Sequence, residues 1–280
     1  MNNEVISEAL DIDAAAQELR RAEAALVGVR PLTERFPGLT LAEAYAIQRA
    51  NIDRRLAQGE RLTGRKIGLT SLAMQRQLGV DQPDFGAITD AMEVANGGEF
   101  DPGRLLKPRL EVEFAFELGA DLPSSPTYDE LVAAVSGVAL GIEIIDSRVA
   151  DWRITLLDTV ADNASMARVV WGEFVPATPE LLDALPAAVA TLLRDGEIVS
   201  SGPGSAVLGH PLTSLHWLGE ALGAQGDRFL AGDRVLAGAV AAATDFVPGA
   251  RWTAEADGLP GISLTSTSST EREKKGGTHS

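Results

Sequence analysis

The chain has no cysteine among its 280 residues. That absence excludes disulfides, thiolate nucleophiles and zinc–sulfur centres, although it identifies no compartment. Positive charge is scarce too: 24 Lys and Arg stand against 40 Asp and Glu, a formal net charge of −16. So acidic a chain is unsuited to nucleic acid or anionic lipid, which are bound through concentrated positive charge. If it acts on an anion, a bound cation or a few local Lys and Arg must supply the attraction. Long apolar runs are missing as well. No stretch approaches the roughly 20 residues that span a bilayer. The opening MNNEVISEALDIDAAAQELRRAEAALVGVR is too acidic, and lacks the apolar centre, for a signal peptide. The expectation is a soluble, cytoplasmic protein with neither nucleic acid nor membrane as partner.

What is present suffices for a large core, since 45% of the residues are hydrophobic and they are spread along nearly the whole length. The first sixty residues have helical periodicity. Ile12, Ala15, Ala16, Leu19, Ala22, Ala25 and Leu26 recur on one face, and Thr40 with Glu43 forms a capping box before AYAIQRANIDRRLAQG. After RLTGRKIGLT, short β-like runs dominate: GRKIGL, LEVEFAFEL, VALGIEIID, ARVVWGEFV, AAVATLLRDGEIVSS with an Asp-Gly turn, DRVLAGAV, RWTAEAD and GISLTS. Helices are expected over Ser71–Leu78, over Thr127–Val135 with a second capping box, and in LTSLHWLGEALGAQG. Strands outnumber helices and do not alternate with them, which predicts α+β with a rolled or barrel-like sheet. The closing TSTSSTEREKKGGTHS is polar and of low complexity, predicting a disordered tail over 266–280. No internal repeat is visible.

In LEVEFAFEL the apolar residues Leu110, Val112, Phe114, Phe116 and Leu118 alternate with Glu111, Glu113 and Glu117. Period two places these glutamates on one strand face, either solvated or converging on something positive. Glu143 sits in GIEIIDSR among Ile142, Ile144 and Ile145, where an unpaired carboxylate is costly. Three carboxylates from two strands, with no His or Cys nearby, suit a hard cation such as Mg²⁺ or Mn²⁺. Lys66 lies in an apolar-flanked strand, and Asp84 in a Gln-Pro-Asp-Phe-Gly turn. Either has an ordinary reading, as a surface ion pair and a turn-former. DTVADNASM is a loop or a set of short donors and acceptors around a polar ligand. GSAVLGHP lacks phosphate-loop spacing, and His210 within it reads as a structural loop histidine.

GRKIGLTSLAMQRQLGVDQPDFG, PRLEVEFAF, LGIEIIDSRVADWRITLLDTVADNAS, VLGHP and GDRVLAGAV…PG…GLPGISL occur in an order that resembles the vinylpyruvate hydratase family. That family comprises the 2-hydroxyalka-2,4-dienoate hydratases and 4-oxalocrotonate decarboxylases of aromatic and steroid meta-cleavage pathways, within the fumarylacetoacetate hydrolase superfamily. The resemblance covers about residues 10 to 265. It implies a helical N-terminal region over 1–62 and a catalytic domain over 63–265 with a fumarylacetoacetate-hydrolase-like sheet.

On the matching positions, it implies that Glu111, Glu113 and Glu143 hold Mg²⁺ or Mn²⁺, and it leaves Glu117 to solvent. Asp84 is implied as acid/base, Lys66 as the holder of carboxylate or oxyanion charge, and Asp162, Asn163 and Ser165 as positioning substrate or water. The implied reaction is addition of water to a small 2-hydroxydienoate. DQPDFG and DTVADNAS look like the hydratases, whereas GAVAAATDFVPG is somewhat like the decarboxylases. A 4-oxalocrotonate decarboxylase is therefore the alternative, and a non-catalytic partner subunit a further one. A C–C bond hydrolase of the wider superfamily is a third enzyme reading, but this sequence shows no His/Glu pair placed to activate water for acyl cleavage. Arg148, Arg153 and Arg168 are candidates to face a distal carboxylate. The segment from Ala237 to Asp245, expected to help close the pocket, has no Lys or Arg, which favours a monocarboxylate. The resemblance also implies a homo-oligomer and opens association with a related hydratase or decarboxylase.

Overall fold

The computed structural model describes residues 10–71, 75–76 and 80–267. Three helices come first: α1 (Ile12–Ala25), α2 (Leu32–Arg35) and α3 (Leu41–Ala57). Asp11 caps α1 by accepting from the Ala14 N–H, and Thr40 and Glu43 form the expected capping box on α3. Their apolar faces meet in a small core of Ala15, Ala16, Leu19, Leu32, Ala44 and Ile47. Val160 and Ala161 close that core from α5 (Leu156–Ala161). Thus the N-terminal helices rest on the segment that precedes Asp162.

The strands that build the site are β1 (Leu62–Gly68), β2 (Asp84–Thr89), β3 (Glu93–Val94), β5 (Arg109–Leu118), β6 (Val135–Ile145), β7 (Met166–Trp171) and β11 (Arg234–Ala239). They form one mixed sheet in the order β2-β1-β11-β5-β6-β7-β3, with β8 (Val175–Pro176) on β6 and β12 (Thr244–Asp245) on β5. Although β2 and β3 are the two ends of that order, only Asp90–Met92 joins them in the chain. So short a link brings the ends near one another, and the sheet curls into a half-barrel.

A second, five-stranded sheet runs β10-β9-β13-β14-β4. Its members are β4 (Glu99–Phe100), β9 (Val189–Arg194), β10 (Glu197–Pro203), β13 (Arg251–Ala256) and β14 (Leu259–Ser266). The Asp-Gly turn at 195–196 joins β9 and β10, with positive φ at both residues. Helices α4 (Tyr128–Ala134), α6 (Pro179–Ala184) and α7 (Pro211–Ala224) complete the α+β fold. The even face of β5 packs into the main core with Trp252, Leu192, Ile262 and Leu264 of the second sheet. The odd face looks into the curl, beside Ala115, Ala139, Val169, Trp171 and Leu236. Period two in LEVEFAFEL therefore separates core from site.

Three expectations change. Asp84 is not in a turn: it opens β2, paired antiparallel with Gly68, and every residue of β2 is buried. The turn ends at Pro83, which has no N–H to give a ladder. ARVVWGEFV is not one strand. At Gly172 the backbone bonds to the Leu140 carbonyl, and a Cβ there would stand 2.7 Å from that oxygen. DTVADNASM is loop only from 162 onward, because Thr155 and Asp158 box the start of α5. The helix expected over Ser71–Leu78 lies largely outside the described residues, as does the tail beyond Thr267.

Candidate active site

Glu111 and Glu143 stand directly opposite one another across the β5–β6 ladder, and Glu113 follows on the same face opposite Gly141. One carboxylate oxygen from each lies within 4.8 Å of the others. Glu113 and Glu143 are buried, whereas Glu111 is half-buried. Lys66 reaches the same place from β1, through the row in which Lys66 pairs with Leu236 and Leu236 with Ala115. Its Nζ is 3.2 Å from Glu143 Oε1 and donates to the Ala164 carbonyl at 3.0 Å. The contact to Glu143 is an ion pair without hydrogen-bond alignment, so both Glu143 oxygens have no hydrogen-bond partner among the described residues.

Asp84 joins the group because its strand neighbour has no side chain. A Cβ on Gly68 would lie 2.2 Å from Asp84 Oδ1 and 3.2 Å from Lys66 Nζ. Asp84 Oδ1 is buried with no hydrogen-bond partner among the described residues. Burial raises the pKa of Asp84 above the ordinary aspartate range, and Lys66 pulls against it. Burial likewise raises Glu111, Glu113 and Glu143. The charge of Glu143 adds repulsion at Glu111 and Glu113, and Lys66 opposes all three shifts. For Lys66 burial works the other way, but the surrounding carboxylates outweigh it and the ammonium is held charged.

One cation and four carboxylates therefore share a low-dielectric site, and the surplus is negative. Buried orphan oxygens call for a positive or proton-bearing partner. A divalent ion of the hard, oxygen-seeking kind meets that demand with this donor set.

The segment 162–165 holds the other expected residues. Asp162 accepts from the Arg148 backbone N–H at 2.8 Å and from Arg148 Nε at 2.5 Å. Asn163 exchanges a pair of hydrogen bonds with the Ala87 backbone, at 2.8 and 2.9 Å, as a strand residue would. Both side chains are thus engaged in holding the segment in place. Ser165 Oγ is 3.2 Å from Thr159 Oγ1. Asn163, Ala164 and Ser165 all have positive φ, and this turn aims the Ala164 carbonyl at Lys66.

Of the arginines, Arg148 is committed to Asp162 and Arg153 pairs with Glu34 at the surface. Arg168 lies over the Phe100 ring at 5.5 Å. Glu117 is not free in solvent: Arg234 Nε is 3.5 Å from its Oε1. His210 caps α7, accepting from the Leu212 N–H, and lines an apolar cavity of about 350 Å³ that shares no residue with the carboxylate group. Sequence reasoning missed Gly68, Thr159, the Ala164 carbonyl and Gly238, whose N–H donates to Glu113 Oε2 at 2.7 Å. No side-chain pattern signals a backbone donor.

The chain is 42% identical over 257 residues to a 2-keto-4-pentenoate hydratase of Burkholderia vietnamiensis, covering 91% of this chain and 97% of that protein. The chain belongs to the vinylpyruvate hydratase family. No family model matches it. Within this family's fold it superposes with a TM-score of 0.86 on a 4-oxalocrotonate decarboxylase from Pseudomonas putida G7, a structure in complex with magnesium and adipate. The two are 32% identical, over 92% of this chain and 99% of the decarboxylase. A fumarylpyruvate hydrolase from Pseudomonas aeruginosa, in complex with Mn²⁺ and pyruvate, shares the fold alone. It is 18% identical, with a TM-score of 0.59 over 73% of this chain and 88% of the other.

Proposed function

We infer that the chain is a Mg²⁺- or Mn²⁺-dependent hydratase. It converts a 2-hydroxyalka-2,4-dienoate, through the 2-oxo-3-enoate tautomer, to a 4-hydroxy-2-oxoalkanoate. The observation that carries this is the 42% identity to a hydratase along nine-tenths of the chain, set against 32% to the decarboxylase. The site supports it with three carboxylates, a buried ammonium and a buried Asp84 in one place. Those groups also argue against a non-catalytic partner subunit.

Glu111, Glu113 and Glu143 would hold the ion, which when bound supplies charge stabilisation for a 2-oxo acid. Lys66, fixed by the Ala164 carbonyl and Glu143, presents a permanent positive charge to the substrate's carboxylate or 2-oxygen. Asp84, whose pKa burial raises, moves the protons. The 2-hydroxyl loses its proton as C5 gains one, giving the 2-oxo-3-enoate. Water then adds across C3=C4: its oxygen bonds to C4 as it gives up a proton, and C3 takes one. Ser165, paired with Thr159, positions substrate or water. Asp162 and Asn163 act by placing the loop rather than by touching substrate.

A homo-oligomer in the cytoplasm, open to association with a related hydratase or decarboxylase, belongs to the same reading. Light scattering and co-purification test it. The reaction is tested with 2-hydroxypenta-2,4-dienoate in ¹⁸O-water and Mg²⁺. We expect label at C4 of 4-hydroxy-2-oxopentanoate, with turnover in Asp84→Asn lowered by about a hundredfold. CO₂ release from 2-oxo-3-hexenedioate without hydration of the monoacid would make it a decarboxylase instead.

A further inference from the structure

Along the odd face of β5 the side chains run Glu113, Glu111, Arg109, from buried at Glu113 to partly exposed at Glu111 and Arg109. Glu113 is buried, Glu111 half-buried, and the Arg109 side chain 34% exposed. The buried carboxylates therefore give way along this face to two partly exposed residues, Glu111 and Arg109. Two residues along a strand span about 6.6 Å, comparable to the length of a five- or six-carbon acid. A substrate anchored by its carboxylate end among the glutamates and extended toward solvent has its remote end beside this guanidinium.

The guanidinium is held in place by two neighbours. It lies 4.8 Å from the centre of the Trp152 ring, the distance of a cation–π contact. Trp152 is fixed in turn: its indole N–H donates to the Lys107 carbonyl at 3.0 Å. Asp151 and Trp152 have φ of 58° and 56°, a left-handed conformation that non-glycine residues keep only when tertiary contacts impose it. The second neighbour is Asp245. β12 sets it in register with Arg109 and brings its Oδ1 to 3.4 Å from Arg109 Nε. The segment from Ala237 to Asp245 has no cation of its own, but it faces one and carries the carboxylate that offsets it.

We propose that Arg109 reads the remote end of the substrate and that Asp245 sets the charge it accepts. With Asp245 beside it the pair is neutral, and an alkyl or otherwise uncharged end is preferred. Without Asp245 the bare guanidinium attracts a second carboxylate. The identity of the acid rests on the hydratase reading; the charge preference does not.

The test compares two ligands of equal length, adipate and hexanoate, titrated by calorimetry into the full Mg²⁺-loaded chain. In Asp245→Asn the affinity for adipate should rise about threefold or more relative to hexanoate, the scale of a partly exposed ion pair. High salt should shrink that gain. Adding Arg109→Gln should abolish it, and Arg109→Lys, which keeps the charge, should retain part. An adipate-to-hexanoate ratio identical in the wild type, Asp245→Asn and Arg109→Gln would overturn the proposal. A chain that releases CO₂ yet shows the shift keeps this inference and loses the hydratase reading. A hydratase with an unchanged ratio does the reverse.

Discussion

Glu143 has three isoleucine neighbours in sequence and, at 0% exposure, no solvent to offset its charge. Its nearest positive group, Lys66, is shared with Glu111, Glu113 and Asp84. Glu113 is bound by one backbone N–H on β11, whereas Glu117, on the same face, has Arg234 beside it. These different settings separate the glutamates of one strand. Glu113→Gln should weaken Mn²⁺ binding by about tenfold or more, the least expected for a direct ligand. Glu117→Gln should change it by less than about twofold, since a partly exposed pair is worth little. Calorimetric Mn²⁺ titration of both variants checks this, and equal losses would remove the assignment. That Glu111 and Glu113 share a face was legible from period two alone. That Glu143 stands opposite Glu111 was not, because register depends on how two distant strands align.

At the scale of elements, the site depends on places where a strand departs from its ladder. The β11–β5 register shifts between Leu236 and Ala239, and Gly238 lies in that shift with φ of 114°. A Cβ there would stand 2.1 Å from Thr70 Oγ1. The irregularity turns the Gly238 N–H toward Glu113 instead of along the ladder. Gly238→Ala should therefore cost about 1–3 kcal/mol of stability from the forced left-handed backbone alone. It should also weaken Mn²⁺ binding, as read by denaturant unfolding and by titration on the same variant. Loss of stability with unchanged Mn²⁺ affinity would show that the N–H is dispensable. The capping boxes at Thr40 and Thr127 were legible because both partners lie within one turn. Asp84 at the head of a strand was not, since only pairing with Gly68 turns that loop into β2.

For the whole molecule, curling brings the end of β1, the start of β2, the start of β5 and the end of β6 to one rim. Four carboxylates thereby converge in a chain already at −16. Their repulsion opposes folding, and a divalent cation that binds only the folded rim relieves it. At a hundredfold excess over its dissociation constant, Mg²⁺ should add about 2.7 kcal/mol. The melting temperature should rise by about 5 °C or more. Differential scanning calorimetry with and without Mg²⁺ measures this, and Glu113→Gln should lose most of the rise. An equal rise in that variant would place the ion elsewhere.

By itself the sequence determined what depends on neighbours a few residues apart. Helix starts, the two faces of β5, the exclusion of thiol chemistry and a long ordered run of family motifs were all local properties. Only the tertiary structure decided what depends on distant segments meeting. It paired Glu111 with Glu143, left room at Gly68 for Asp84, engaged Asp162 and Asn163 with Arg148 and Ala87, and set Asp245 beside Arg109. The reason is physical. Periodicity and capping are short-range, whereas the charge around a buried group is the sum over every strand that the curl brings within a few ångströms of it.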